Sequence, residues 1–484
     1  MLRSFTQAIR LLAFALLALS ITASAQVTTH TGTLDDGATF LIEVPANWNG
    51  TLFLYSHGYV TPGSANPAQD VGDPATRAFM LANGFALAGS SYATTGWAVH
   101  EALPDQIAVL DQFDALVAHP KRTIAWGHSL GGMITAGLIQ LYPERFDAAM
   151  PMCGVLSGGV ATWNTALDGE FAFKNLLAAE TPLQMVKIAN PNLNLGIAEQ
   201  VLALAQATPQ GRARIALVAD LDDGPGWFVP TSPEPAANDF AGQEANQFLW
   251  AQQVDFPFIF AFRAELEARA GGNVSWNTHV DYRRQFERSI NRAEVKALYG
   301  AAGLDLDADL DALNDAERVS ASEEPLEYLE RNIIYNGNIQ VPVLTLHTTG
   351  DGLVVVENES AYDNVVDEAG NARLLQQRFV HRAGHCAFTP AETIAAVETL
   401  LTRLATGRWP HDSDADDLNA EAAGLGPLFN IFATSQGVVP TPPAFVDFHP
   451  APYLRPFDAF DACHFGFDGD EHRCHERHEW FEAR

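Results

Sequence analysis

One serine of the chain has neighbours typical of a nucleophile. The stretch AWGHSLGGMITAG, residues 125–137, sets Ser129 in the pattern Gly-x-Ser-x-Gly, between an apolar run and a helix-like segment. On a sharp turn from strand to helix the serine backbone is strained and its hydroxyl is exposed. The flanking glycines are needed because a side chain there would meet the neighbouring strand or helix. The pattern therefore predicts that Ser129 is a nucleophile.

A serine hydroxyl attacks poorly until a base removes its proton, so a histidine and an acid are expected downstream. Asp351 in TTGDG follows a predicted strand at 342–347, and His385 in RAGHC follows the next predicted strand. Side chains that follow parallel strands meet at the carboxyl edge of the sheet. We predict that His385 acts as general base and then acid, with Asp351 orienting the imidazole.

The elements that must position these residues alternate along the chain. Short apolar runs typical of strands occur at 38–44, 51–56, 85–92, 122–127 and 148–153, and helical patterns at 73–83, 106–118 and 130–142. The same alternation resumes at 341–404. This order predicts an α/β fold with a parallel sheet covered on both faces.

The alternation fails at 156–335, which is rich in helical patterns and aromatic residues. We predict a core of residues 26–155 and 336–407, with 156–335 inserted as a cap over the strand ends. Residues 408–484 contain an acidic loop and a proline-rich stretch, and we expect this C-terminal extension to wrap over the core.

The first 25 residues have the pattern of a secretory signal peptide. Arg3 and Arg10 precede the apolar run 11–21, and small residues end at Ala25, the expected cleavage site. The run is too short to cross a hydrocarbon core of about 30 Å. We expect a secreted or periplasmic protein with no membrane span in the mature chain.

Composition limits the partners and cofactors. A net charge of −31 argues against binding nucleic acid through a basic face. Because we find no dinucleotide glycine motif, phosphate loop or zinc helix motif, we expect no cofactor and no metal in the reaction. The oligomeric state is not predicted.

The motifs GHSLGG, TTGDGLV and RAGHC, together with YSHGY after an early strand, resemble those of the α/β-hydrolase superfamily. The resemblance covers about residues 34–155 and 341–404. It implies a mostly parallel sheet of eight strands. It also implies an oxyanion hole formed by the backbone N–H groups of Leu130 and Tyr59, which would stabilise negative charge that develops on the substrate.

Four cysteines in an oxidising compartment allow three disulfide pairings. Cys386 follows the histidine, and Cys153 ends the strand after the nucleophile helix, so both are expected near the carboxyl edge of the sheet. The His-Cys pair is similar to that of tannase and feruloyl-esterase relatives, in which a cysteine beside the serine bonds a cysteine beside the histidine. Here His128 precedes Ser129, so that signature is incomplete.

We therefore expect a bond between Cys153 and Cys386, which leaves Cys463 and Cys474 to pair with each other. The alternative for the second pair is a metal site, for which histidines lie nearby at His472, His475 and His478.

A serine, a histidine, an aspartate and an oxyanion hole perform acyl transfer. We predict an exported serine hydrolase that cleaves small-molecule or polymeric carboxylic esters through an acyl-enzyme. The aromatic run 248–262 could line an acyl pocket or form the cap's own core. An exported serine peptidase is the alternative, if cap acids such as Glu323, Glu324 and Glu327 form a negative pocket. A catalytically silent binding protein is a second alternative.

Overall fold

The computed structural model describes residues 26–410, 414–435 and 437–458. The signal peptide predicted at 1–25 lies outside the described residues. So do Cys463 and Cys474, with the nearby histidines.

Nine strands of the described chain form one sheet, in the order β1-β2-β4-β3-β5-β6-β7-β8-β11, and β9 and β10 form a separate hairpin. The strands are β1 (Val27–Thr33), β2 (Thr39–Pro45), β3 (Thr51–Ser56), β4 (Ala86–Ser90), β5 (Arg122–His128), β6 (Ala148–Met152), β7 (Val343–Gly350), β8 (Leu375–Ala383), β9 (Ile431–Thr434), β10 (Gly437–Pro440) and β11 (Phe445–Val446). Neighbours from β4 through β3 to β8 pair in parallel, as predicted.

Helices cover the sheet and fill the segment between β6 and β7. They are α1 (Pro74–Ala82), α2 (Val99–Leu116), α3 (Leu130–Leu141), α4 (Gly158–Leu176), α5 (Pro191–Gln206), α6 (Pro209–Asp220), α7 (Phe240–Trp250), α8 (Arg263–Ala270), α9 (Tyr282–Arg288), α10 (Arg292–Ala302), α11 (Leu306–Asp315), α12 (Glu323–Asn332), α13 (Asn358–Glu368), α14 (Pro390–Thr406) and α15 (Ala415–Gly424). Two π-helical turns, Ala251–Asp255 and Phe258–Phe262, lie between α7 and α8.

The expected count of eight strands in the sheet was one too low. The ninth is β11, which pairs antiparallel with β8 through Phe445 and Val380. Without it the outer edge of β8 would present unpaired backbone N–H and C=O groups, which another chain could pair with. The C-terminal extension thus completes the sheet.

The central strands are buried on both faces, which explains why their sequences are continuous apolar runs. Every residue of β3 (TLFLYS) and of β6 (AAMPM) is buried. Helix α14 begins at a capping box, in which the Thr389 hydroxyl accepts from the N–H of Glu392 and the Glu392 carboxylate accepts from the N–H of Thr389. This cap fixes where the chain turns into the helix that follows β8.

Helices α4 to α12, which we call the cap helices, have a hydrophobic cluster of their own. Its fully buried members include Phe171, Phe260 and Phe286. An ion pair between Arg263 and Glu170, 2.9 Å from Nε to Oε1, is completely buried inside the cap helices. The boundaries expected for core and cap as separate domains stay predictions. Among the described residues, none of the helices is both long and apolar enough to cross a membrane.

Candidate active site

Ser129 lies on the turn between β5 and α3, with φ 60° and ψ −124°. Left-handed backbone is costly for a residue with a side chain, so the surroundings must hold it. A Cβ on Gly131 would lie 1.9 Å from the carbonyl oxygen of Ser56, and one on Gly127 would lie 2.4 Å from the same atom. The glycines are therefore required by the close approach of β3, as the sequence predicted.

The structure brings the three predicted catalytic side chains into one hydrogen-bonded chain. The Ser129 Oγ lies 2.7 Å from His385 Nε2, and His385 Nδ1 lies 2.7 Å from Asp351 Oδ2. Asp351 follows β7 and His385 follows β8, so both side chains emerge from the carboxyl edge of the sheet beside Ser129. This geometry is the one in which an imidazole can accept the serine proton.

The carboxylate of Asp351 is fixed from both sides. Its Oδ1 accepts hydrogen bonds from the backbone N–H groups of Leu353 (3.1 Å) and Val354 (3.0 Å), and its side chain is fully buried. Two backbone donors on one oxygen leave the other oxygen directed at the imidazole. The loop after β7 therefore sets the orientation of the imidazole through the aspartate.

His347, within β7, is hydrogen-bonded to this loop and is engaged through both ring nitrogens. Its Nδ1 lies 3.0 Å from Glu359 Oε1, and its Nε2 lies 2.8 Å from the Val354 carbonyl oxygen. Burial alone would lower the pKa of His347, but the hydrogen bond and charge of Glu359 outweigh it and raise the pKa. The side chain is completely buried, so it cannot contact a substrate.

A disulfide joins Cys153 to Cys386, with the two Cα atoms 5.3 Å apart. This is the pairing expected from the sequence. Cys153 follows β6 directly, and Cys386 is the residue after His385. The bond therefore ties the loop that carries the imidazole to the strand beside that of the nucleophile.

The loop after β3 passes directly beside the serine. A Cβ on Gly58 would lie 3.3 Å from the Cβ of Ser129, so the N–H of Tyr59 follows at the edge of the same site. Leu130 is the first residue of α3, where a helix leaves its N–H groups without intrahelical acceptors. Their contribution to an oxyanion hole stays a prediction. His57 holds the turn, since its Nδ1 lies 2.7 Å from the Gly58 carbonyl oxygen.

Comparison with known proteins identifies the family. The chain is 31% identical over 433 residues to o-phthalyl amidase of Xanthobacter agilis, a match that covers 82% of this chain and 92% of the relative. Residues 89–171, which include the serine turn, match the prolyl oligopeptidase family. This chain belongs to the α/β-hydrolase superfamily.

Solved structures of other hydrolases are also similar to this α/β-hydrolase. One is the rice cell wall degrading esterase LipA of Xanthomonas oryzae, at 14% identity and a TM-score of 0.35, with 81% of this chain and 92% of that chain covered. Another is feruloyl esterase B of Aspergillus oryzae, at 11% identity and a TM-score of 0.36, with 79% and 81% covered.

The α/β-hydrolase has a cavity of about 90 Å³ beside Ser129. The core supplies Tyr59 and Leu130 to its wall, the cap helices supply Trp163, and the C-terminal extension supplies Tyr453. The participation of Tyr453 could not be predicted from sequence, because no local motif surrounds it.

Two cap acids, Asp222 and Asp255, line this cavity. Burial, together with the charge of Asp351, raises the pKa of Asp255 to about 8. Burial and the neighbouring Asp255 carboxyl raise the pKa of Asp222 well above its usual range. Neither acid was singled out from the sequence, which pointed instead to the three glutamates that the structure places in α12, away from the cavity lining.

The aromatic run 248–262 serves both purposes that the sequence left open. Phe258 lines the cavity, while Phe256 and Phe260 are buried in the cap's own hydrophobic cluster. Phe262 stacks against Tyr59, with ring centroids 5.8 Å apart. The aromatic run thus connects the hydrophobic cluster of the cap helices to Tyr59, in the loop after β3.

Proposed function

We propose that this α/β-hydrolase is an exported serine hydrolase that cleaves carboxylic esters through an acyl-enzyme. The single observation that carries the proposal is the chain of two 2.7 Å contacts from Ser129 through His385 to Asp351. A binding protein on the same scaffold would have no reason to keep all three side chains aligned.

In the proposed reaction, Ser129 Oγ attacks the ester carbonyl carbon as its proton passes to His385 Nε2. The carbonyl oxygen becomes negative, and the N–H groups of Tyr59 and Leu130 would stabilise it. Collapse of the tetrahedral intermediate breaks the bond to the alcohol, which leaves with the proton from His385. Water then gives its proton to His385, attacks the acyl-enzyme and releases the acid, while Ser129 regains its proton.

The lining of the cavity supports an apolar or aryl acyl group. Trp97, Trp163 and Phe258 present ring surface to it, and Val155 and Ile259 add aliphatic surface. Aromatic side chains of this kind provide large apolar contact at a small entropy cost. A small-molecule ester of an aromatic or short aliphatic acid is therefore the substrate we propose.

Amide or peptide hydrolysis is the second candidate, and a specific observation favours it. Asp222 and Asp255 place two carboxyl groups in the cavity, where the positive charge of a substrate's amino group would favour their ionised form and allow an ion pair. The similarity to o-phthalyl amidase also supports cleavage of an amide bond. The serine chemistry is the same for both candidates.

Export is supported by the Cys153–Cys386 bond, because disulfides persist in oxidising compartments. The signal peptide and the second cysteine pair of the proposal lie outside the described residues.

A fluorophosphonate probe tests the proposed function. Covalent labelling of the wild-type protein at one serine, lost in Ser129→Ala and retained in the exposed control Ser64→Ala, is the expected result. Labelling that survives Ser129→Ala would overturn the assignment of the nucleophile, and absence of any labelling would favour the binding protein.

Substrate panels then separate the two candidates. p-Nitrophenyl esters of increasing acyl length are compared with aminoacyl p-nitroanilides, each with a free or an acetylated amine. Turnover of esters alone supports the esterase. Turnover of anilides that requires the free amine and is lost in Asp255→Asn supports the amino-group pocket instead.

A further inference from the structure

Residues 447–458, which we call the C-terminal strap, run from β11 at the edge of the sheet to the cap helices. Near its middle the strap contacts both parts of the molecule. The N–H of Tyr453 donates to the Ser360 Oγ of α13 at 3.1 Å. Arg288 of α9 donates to the carbonyl oxygens of Tyr453 (3.2 Å) and Leu454 (3.1 Å). The strap thus bridges the core and the cap helices.

Arg455 anchors the strap in the cap. Its Nη1 lies 3.1 Å and 3.0 Å from the two carboxylate oxygens of Asp168, and its Nη2 lies 3.0 Å from the Trp276 carbonyl oxygen. Nη1 also lies 3.2 Å from the carbonyl oxygen of Asn164. Asp168 is completely buried, and a buried carboxylate requires a paired charge. The strap therefore supplies a cation that the cap needs at this position.

Tyr453, two residues before Arg455, is buried between the core and the cap helices. Its side chain is 4% exposed and packs in one small hydrophobic cluster with Ala161 of α4 and Val355 of the loop after β7. Its ring lines the same cavity as Ser129. Its hydroxyl lies near the hydroxyls of Ser157 and Thr162. The tyrosine therefore closes the side of the cavity between α4 and the loop that holds Asp351.

We propose that the C-terminal strap is a wall of the acyl pocket and that Tyr453 is a specificity-determining residue, which restricts the pocket to short aliphatic or single-ring acyl groups. The proposal rests on the proposed acyl-transfer function of Ser129. Removal of the tyrosine ring would open the pocket toward the strap, into space that a longer acyl chain could occupy. A side chain that only stabilised the fold would affect all substrates alike.

Tyr453→Ala is the direct test, measured as kcat/KM for p-nitrophenyl acetate and p-nitrophenyl octanoate. We expect the octanoate-to-acetate ratio to rise about tenfold or more, within the range that pocket contacts with methylene groups supply. The matched variant Tyr453→Phe keeps the ring and should keep the ratio within about twofold. An unchanged ratio in Tyr453→Ala, with both esters slowed equally, would overturn the proposal.

Arg455→Gln tests whether the strap must be anchored to the cap helices for Tyr453 to restrict the pocket. Arg455 itself lies outside the cavity lining, so its substitution would act only through the strap. The double variant Asp168→Asn with Arg455→Gln removes the unpaired buried charge, so the protein still folds if the single variant does not. The exposed control is Arg373→Gln. In a folded variant we expect the octanoate-to-acetate ratio to shift in the direction of Tyr453→Ala, and a ratio equal to that of the control would overturn the anchoring role.

Failure of the strap proposal is distinguishable from failure of the proposed function. If fluorophosphonate labelling of Ser129 is present but the ratio does not respond to Tyr453→Ala, only the strap proposal fails. If Ser129 is not labelled in the wild-type protein, the proposed function fails first and the strap proposal with it.

Discussion

Cys386, the residue directly after His385, is bonded to Cys153, the residue directly after β6. Because 233 residues separate the two cysteines, the bond holds together parts of the sheet that are distant in the chain. The position of the imidazole therefore depends on a covalent bond as well as on packing.

Reduction of this disulfide should slow the proposed hydrolysis and destabilise the fold. Chain-entropy models give about 5.5 kcal/mol for a loop of this length. We expect kcat to fall about tenfold and the unfolding midpoint to drop, as the loop with His385 gains freedom. Activity is measured after reduction is verified by mass spectrometry, with Cys153→Ser/Cys386→Ser as the matched variant. Full activity in the reduced protein would argue against a positioning role.

Asp351→Asn should retain the fold but lose most of the activity. The amide would still fill the site, but it could not stabilise the imidazolium or fix the tautomer, and in serine hydrolases such a change costs about 10⁴ in kcat. The measurement is kcat on p-nitrophenyl acetate, with circular dichroism to verify folding. Asp363→Asn, on the exposed face of α13, is the control and should stay within about twofold of the wild-type rate. Equal rates for both variants would remove Asp351 from the proposed machinery.

Asp255 should make the folded protein less stable as pH rises. Because burial and the charge of Asp351 raise the pKa of Asp255 to about 8, the folded state keeps a proton that the unfolded state releases near pH 4. Between these values the folded state binds more protons, so the free energy of unfolding falls as pH increases from about 4 to 8. Asp255→Asn should remove this loss.

Thermal unfolding at pH 5 and pH 8 tests the Asp255 prediction. We expect the drop in Tm between the two pH values to shrink in Asp255→Asn by roughly 3 °C or more. Asp35→Asn, an exposed acid near the start of β2, should leave the drop unchanged. A drop that is the same in wild type and Asp255→Asn would contradict the prediction.

Gly131→Ala should disrupt the turn that holds Ser129. The added Cβ would lie 1.9 Å from the Ser56 carbonyl oxygen, so α3 must move away from β3 at a cost of about 3 kcal/mol or more. Gly196→Ala is the matched control, because its Cβ would have no neighbour within 4 Å and α5 should gain up to about 1 kcal/mol. Urea unfolding measures both. Equal stability of the two variants would mean that the turn accommodates the added Cβ of Gly131→Ala without cost, and it would contradict the prediction.

The sequence predicted the convergence of Ser129, Asp351 and His385 because each follows a recognisable strand. Ser129, Asp351 and His385 all lie directly after runs whose pattern indicates a parallel sheet, and such strands end at one edge. Their convergence therefore depends on topology alone, which local patterns encode. The Cys153–Cys386 bond followed from the same placement and from the family resemblance.

The rest of the pocket could not be predicted in this way. Which cap acids face the cavity depends on how helices pack on one another, and Asp222 and Asp255 have no local pattern that distinguishes them from the exposed acids. Tyr453 is held at the site by its neighbour Arg455, which is hydrogen-bonded to Asp168, nearly 300 positions earlier in the chain. A two-residue strand such as β11 is likewise too short to give a periodic signal.

The position of Tyr453 in the chain also determines when the wall of the cavity can be completed. During synthesis Ser129 is translated early, Asp351 and His385 follow, and among the residues that line the cavity Tyr453 is translated last. A chain that has folded only as far as the His385 loop would therefore have a cavity that is open on the side of the strap. Under the strap proposal, selectivity for the acyl group is acquired only when the strap docks on the cap helices.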